Sequence, residues 1–389
     1  MRVLIATATA GGGHLAAAAA LQEAWGALRG DDVLDQVDMV QFFSPLHRKI
    51  HSDGYAKLVE HAPEIWGMMF SKTDDPKSAS RLTRLRRFFT ATSRLRFRAF
   101  LDEFQPDLVL CTHYLPLETL REWRAKRSKK QGSPAGPMAH SLPSIVSVVT
   151  DFEAHALWMD EGVDLYCVAA EETRGRLIAR GANEAIVVAT GIPISKKFSI
   201  RPDPARVRQA IGLRDDQPVI LVLSGGFGMG PIAETMAELD KAKKRFQVVA
   251  VAGRNQELRR ELAAVDRAHP THVTGFSSNM HELMAVADLI VTKPGGLTTS
   301  EALAMGKPLL ILSPIPGQEA ANSDFLLERG AAVKANRVED LSSRVEQLLG
   351  SSKLKEMGRI ARKLGRPAAA AAVCAAALDL AKNPIPQEL

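Results

Sequence analysis

Three times along this chain a short apolar run ends in a glycine-rich turn that opens a helix, and this recurrence limits the fold more than any other feature. The runs are Arg2–Ala6 before Gly11-Gly12-Gly13-His14, Val219–Leu223 before Ser224-Gly225-Gly226-Phe227-Gly228-Met229-Gly230, and Ala287–Val291 before Lys293-Pro294-Gly295-Gly296. Runs this short and this apolar read as strands buried on both faces. Glycines at a strand's end let a ligand approach the backbone, and they free amide donors at a helix N-terminus, where anions bind. Open α/β sheets hold their ligands beyond the carboxyl ends of the strands. The first two turns fall in different halves of the chain, so two similar domains are expected, each offering one loop to a shared cleft.

The rest of the chain keeps the alternation. Further strands are expected near Val37, Leu108–Cys111, Ser144–Val149, Leu165–Ala169 and Ile186–Ala189, then near Val248–Val251, His272–Gly275, Leu309–Leu312 and Ala332–Lys334, with helices between them. Such alternation requires right-handed crossovers and parallel sheets. The expected fold class is α/β, with two Rossmann-like domains facing each other across a cleft. A helical insertion, Pro45 to Phe104, interrupts the first. A chain of 389 residues can fill two cores. Breaks at Gly191-Ile192-Pro193 and Arg201–Pro204 place the domains at 1–198 and 199–366, and an alanine-rich helix in 367–389 is expected to return to the first domain.

Several classes fall away. No Gly-Lys-Ser/Thr follows any glycine turn, so none is a P-loop, and Gly226, Gly228 and Gly230 lack the Gly-x-x-Gly half of a dinucleotide fingerprint. Cys111, Cys167 and Cys374 are too scattered for a disulfide framework or a structural zinc, which points to a reducing cytoplasm. The apolar start is too short for a signal peptide, and no run reaches the roughly 18 apolar residues of a membrane span.

The net charge of +6 is unevenly placed. No acidic residue occurs from Lys77 to Leu101, whereas Arg84, Arg86, Arg87 and Arg94 alternate with apolar residues that include Phe88 and Phe89. A basic, aromatic, amphipathic segment suits an anionic membrane surface, with a solvated helix face and nucleic acid as the other readings. The membrane is the partner expected, and nucleic acid is not.

Chemistry concentrates at the turns. Thr298 and Thr299 add hydroxyls to the amides of Gly295 and Gly296, and Glu301, one turn into the helix, can reach the paired hydroxyls of a ribose. Phosphate with ribose means a nucleotide. His14, with Gly12 and Gly13 at a helix start, can serve as a base or as a donor to a diphosphate. Asp151, after the strand ending at Val149, is either a second candidate base or a helix cap. His155 and Trp158 fit packing as well as acceptor contact. No Asp-x-Asp occurs in the chain, so neither a metal nor another cofactor is expected, and a leaving phosphate must be stabilised by amides, hydroxyls and helix dipoles.

With these pieces in place the chain resembles the monogalactosyldiacylglycerol synthase and processive diacylglycerol glucosyltransferase family. These are GT-B glycosyltransferases related to the peptidoglycan N-acetylglucosaminyltransferase. The likeness rests on Gly11–His14, Thr150-Asp151-Phe152-x-x-His155-x-x-Trp158, Gly191–Ile194, Gly225–Gly230, Gly275-Phe276-x-x-Asn279-Met280, Thr292–Ala302 and Pro316-Gly317-Gln318-Glu319-x-x-Asn322. Pro63-Glu64-Ile65-Trp66-Gly67 looks like the lipid-synthase branch. The resemblance implies that Phe276 walls a uracil and that Glu301 accepts from both ribose hydroxyls. It implies that Ser224, Gly225, Gly226 and Gly228, with Leu297 and Thr298, cradle the diphosphate, and that Gln318, Glu319 and Asn322 read the hexose. The activity implied is inverting transfer of glucose or galactose from a UDP-sugar to 1,2-diacylglycerol by a peripheral protein at the inner face of the cell membrane. A polyprenyl-linked acceptor, a nucleotide-sugar epimerase and a non-catalytic binding subunit are the alternatives. The choice of hexose, the number of transfers and the oligomeric state are left open.

Overall fold

The computed structural model describes residues 1–9, 12–45, 48, 54, 62–74, 91–131, 142–223, 225 and 230–383. It divides into two compact units, Met1–Ser195 with Ala368–Leu389, and Lys196–Pro367. The first unit holds β1 (Arg2–Thr7), α1 (Gly12–Leu28), β2 (Val33–Asp38), α2 (Pro63–Thr73), α3 (Ala91–Phe104), β3 (Leu108–Cys111) and α4 (Leu115–Gln131). It continues through β4 (Ser144–Val148), β5 (Leu165–Val168), α5 (Glu171–Ala179) and β6 (Val187–Ala189). The second unit runs α6 (Pro204–Ala210), β7 (Val219–Leu223), α7 (Ile232–Leu239), β8 (Gln247–Val251), α8 (Gln256–Ala264), β9 (Thr271–Thr274) and α9 (Met280–Val286). Then come β10 (Leu289–Thr292), α10 (Gly296–Met305), β11 (Leu309–Leu312), α11 (Gln318–Glu328), β12 (Ala332–Ala335), α12 (Leu341–Leu348) and α13 (Ser352–Leu364). A last helix, α14 (Ala369–Lys382), belongs to the first unit.

Each unit is built on a parallel sheet of six described strands. The orders are β2-β1-β3-β4-β5-β6 and β12-β11-β10-β7-β8-β9. Both are Rossmann-like, and read from the other edge the second has the dinucleotide-fold order, first strand at the centre. In the first sheet the period of two sorts the side chains cleanly. Val3 and Ile5 join Leu21, Trp25, Val373 and Ala377 under α1 and α14, while Leu4 and Ala6 join Phe97, Leu101 and Leu120 on the opposite face. The small side chains of α14 let it lie against α1 and the sheet, burying Ala370, Val373, Cys374, Ala377 and Leu380. The stretch Ser352–Lys382 is long and apolar enough in composition to cross a membrane, yet it consists of two helices, and the apolar one is a core helix of the first unit.

The insertion supplies a correction. Arg94 was expected among the membrane-facing cations, but α3 turns it inward. Residues 94, 97, 98 and 101 lie on one helical face, where Phe97 and Leu101 are fully buried. Arg94 and Arg98 both pair with Glu122 of α4, and Arg94 also lies 3.8 Å from Glu118. The charge of Arg94 is thus compensated within the fold, and it is Leu95 and Arg96 that face outward. Arg84, Arg86, Arg87, Phe88 and Phe89 lie outside the described residues.

Candidate active site

In an open parallel sheet the strand order reverses at one point, and the loops on either side of it diverge to leave a crevice. In the first unit this point lies between β1 and β3. The residues that leave those two strands, with those that leave β4, form one cluster. Helix α1 opens at Gly12, so Gly12, Gly13 and His14 make up its first turn. The Nδ1 of His14 lies 2.9 Å from the main-chain carbonyl of Thr112 and 2.9 Å from the hydroxyl of Thr150. The Thr112 hydroxyl donates back to the His14 carbonyl at 3.1 Å. A carbonyl only accepts, so the first contact places the proton on Nδ1 and leaves the lone pair on Nε2. Burial lowers the pKa of His14, against the smaller raising effects of Asp151 and the Thr112 carbonyl. The neutral form is the one that can take a proton.

His113 crosses His14 nearly edge-on, with ring centroids 4.6 Å apart, and Trp158 stands 6.4 Å from His14 and 6.3 Å from His113. His155 and Trp158 do not share the face of a longer helix. They bracket a single 3-10 turn, which His155 caps by accepting the Leu157 amide on Nδ1, and Trp158 is buried beside the two histidines. Asp151 is placed close enough to act electrostatically on His14.

In the second unit the reversal lies between β7 and β10, and again the sequence-derived candidates leave those strands. Gly225 and Gly230 take φ of +72° and +122°, backbone that side chains rarely tolerate. Ser224, Gly226 and Gly228 lie outside the described residues. Across from them, α10 starts after Gly295, which provides no side-chain cap. The first amides of this helix, from Gly296, Leu297 and Thr298, therefore face its N-terminus without a capping acceptor among the described residues. The Leu297 side chain is buried, so only its backbone can serve a ligand. Glu301 is half-buried and has no hydrogen-bond or ion-pair partner among the described residues, and burial pushes its pKa up to about 8. Phe276 is 61% exposed, with the Arg254 guanidinium 5.1 Å from its ring centre.

Of the three hexose candidates, Gln318 and Glu319 occupy the first turn of α11. Glu319 accepts the Ile315 amide at 2.8 Å, and a Cβ added to Gly295 would come 3.9 Å from its other oxygen. Asn322 requires a correction. It is fully buried, and its amide donates to the Pro294 carbonyl at 3.0 Å. Its place is beneath the Pro-Gly-Gly turn, which it holds, and not against a sugar.

Two residues escaped the motif reading, and a third, Lys293, lay inside the Lys-Pro-Gly-Gly motif without being given a role. His113 and Arg254 lie two and three residues beyond the ends of β3 and β8, in the loops where ligand contact falls once the strand order is known. Lys293 lies at the end of β10: a Cβ added to Gly230 would be 4.0 Å from its Nζ. It also lines a small open pocket with Leu223, Gly230, Thr235, Thr292 and Leu312. No carboxylate pairs with it among the described residues.

Comparison with known proteins divides the chain as the two sheets do. Residues 14–194 match the family described as monogalactosyldiacylglycerol (MGDG) synthase, and residues 208–364 match glycosyl transferases group 1. The processive diacylglycerol beta-glucosyltransferase of Bacillus licheniformis is 29% identical over 367 residues, 93% of this chain and 90% of that protein. The Bacillus subtilis protein of the same description is 29% identical over 90% of this chain and 87% of its own length. Among solved structures, MurG of Acinetobacter baumannii matches with a TM-score of 0.59 at 15% identity, covering 97% of this chain and 99% of that one. The UDP-GlcNAc 2-epimerase of Neisseria meningitidis matches with a TM-score of 0.62 at 16% identity, covering 97% and 100%. These two likenesses establish the GT-B fold. With a monogalactosyldiacylglycerol synthase unit followed by a group 1 glycosyltransferase unit, the chain is similar along nearly its whole length to the diacylglycerol glycosyltransferases.

Proposed function

We propose that the protein transfers a hexose from a UDP-sugar to 1,2-diacylglycerol, with inversion to a β-glycosyl lipid, at the cytoplasmic face of the membrane. The observation that carries this reading is His14, a neutral imidazole held by the Thr112 carbonyl with Nε2 left to act, in the unit that matches the lipid synthases. The acceptor hydroxyl gives its proton to Nε2 as its oxygen bonds to the anomeric carbon. The bond from that carbon to the diphosphate breaks, and the electron pair leaves with UDP. Asp151 steadies the imidazolium that forms.

On the donor side Glu301 takes the ribose hydroxyls, and Phe276 with Arg254 offers a flat, cation-backed surface to uracil. The α10 amides and the Lys293 ammonium meet the diphosphate. A lysine there supplies the positive charge that a metal brings in other sugar-nucleotide transferases, so we infer that no metal is needed. Gln318 and Glu319, on the first turn of α11, read the hexose in this reading.

Membrane contact in this reading includes α2. Ile65, Met68 and Met69 lie on one helical face and are 50%, 59% and 49% exposed, with Lys72 one turn further on. The other face is tied to the loop that carries Trp158. Phe70 packs 4.4 Å from His155, and Asp74 pairs with Arg180 at 2.6 Å and accepts the Ala156 amide at 2.9 Å.

The test is direct. Purified protein with diacylglycerol in anionic vesicles and UDP-glucose or UDP-galactose should yield glycosyldiacylglycerol by mass spectrometry. Free sugar or an epimerised nucleotide as the only product would overturn the reading.

A further inference from the structure

The reading of His14 as the acceptor base leaves its neighbour unexplained. His113 is 3% exposed at the end of β3, and its Nδ1 accepts the Leu115 amide at 3.0 Å, at the start of α4. Its ring stands nearly perpendicular to that of His14, at 77°, and packs 4.3 Å from Tyr114. We propose that His113 is a positioning residue for His14, holding the base ring in one orientation and shielding it from water.

The hydrogen bonds show how. An amide N–H can only donate, so Nδ1 of His113 keeps its lone pair and the neutral ring carries its proton on Nε2. A second proton would have to enter at Nδ1, against the Leu115 N–H. The backbone links the two rings further. The Thr112 carbonyl that holds Nδ1 of His14 belongs to the residue just before His113, so one short segment after β3 sets both the tautomer and the packing of the base.

Among the described residues the titratable groups facing His14 are Asp151 after β4, His113 after β3 and Tyr114 behind it; α1 carries no charged residue before Glu23. Asp151 pulls the His14 pKa up and burial pulls it further down. The His113 ring, with Trp158, provides part of that burial.

The proposal depends on the base assignment above, and the experiment separates the two. In His113→Asn the side-chain oxygen can still accept the Leu115 amide, but the ring is gone. In His113→Phe the ring stays and the acceptor goes. The acid limb of kcat against pH should move up by about half a unit or more in His113→Asn, as desolvation is relieved. KM for the UDP-sugar should stay within about twofold, since that site is in the other unit. His113→Phe should keep the limb near its wild-type position. A His113→Asn limb that stays in place, or a His113→Phe limb that moves as far, overturns the proposal. Histidine 15N NMR titration of His14 in the same proteins reads its pKa without any transfer activity. A wild-type protein that glycosylates no diacylglycerol would therefore sink the functional reading and still leave this inference decided by NMR.

Discussion

The carbonyl of Thr112 holds Nδ1 of His14 at 2.9 Å across 98 residues of sequence. One strand's last turn thus selects the tautomer of a histidine that another strand delivers. Orientation comes from rigid backbone, while neutrality comes from burial, which outweighs the raising effects of Asp151 and of this carbonyl.

Removing the base should separate chemistry from binding. His14→Ala is expected to lower kcat by about 10²–10⁴-fold, the usual cost of losing a positioned general base. UDP affinity by calorimetry should be retained. A collapse of UDP affinity instead would make His14 a phosphate contact and Asp151 the better base.

The depressed His14 pKa fixes the sign of two pH effects. Activity should be level at neutral pH and fall on acidification only below the ordinary histidine value of 6.5. Between the folded value and 6.5 the unfolded chain binds a proton that the folded chain does not, so the His14 contribution to stability rises with pH in that window. Denaturant melts of the wild type and His14→Asn across this range check it: the variant should lose that part of the slope.

Glu301 should couple UDP binding to protons. With its pKa near 8 the free carboxyl is mostly protonated at pH 7, and accepting two ribose hydroxyls favours the ionised form. Binding should release a proton, visible as a dependence of calorimetric heat on buffer ionisation. Glu301→Gln should abolish this release and weaken UDP and UDP-sugar alike, by about 1.5–3 kcal/mol. Unchanged affinity in the folded variant would remove the ribose assignment.

Lys293→Gln should weaken UDP while leaving uridine binding unchanged, because the ammonium meets only the diphosphate. A charge-assisted contact of this kind contributes about 1.5–3 kcal/mol, roughly 10- to 150-fold in affinity. Activity in EDTA should equal that in Mg²⁺. Full loss on chelation, restored by Mg²⁺, would show that a metal carries the role given to the lysine.

The α2 face can be tested apart from electrostatics. Ile65, Met68 and Met69 changed together to Ser should reduce vesicle sedimentation at high salt, where attraction of basic residues is screened. Each such side chain contributes about 1.5–3 kcal/mol when fully buried, so partitioning should fall at least about a hundredfold. Equal sedimentation of variant and wild type would move the contact elsewhere.

Local chemistry made the strands and the glycine turns legible. A strand buried on both faces announces itself by its own composition, and a turn that requires positive φ announces itself by glycine, as at Gly225 and Gly230. Glu301 and the Pro-Gly-Gly turn are neighbours in sequence, so their shared place at the start of α10 could be read directly. Strand order has no such signature. Only the order β2-β1-β3-β4 brings Thr112, His113 and Thr150 around His14, and no spacing along the chain encodes it. Partner choice was equally hidden: Arg94 belongs to Glu118 and Glu122 and Asn322 to Pro294 because packing turned those side chains inward. Residue type sets what a side chain can bond to, and the tertiary structure decides which partner lies within reach.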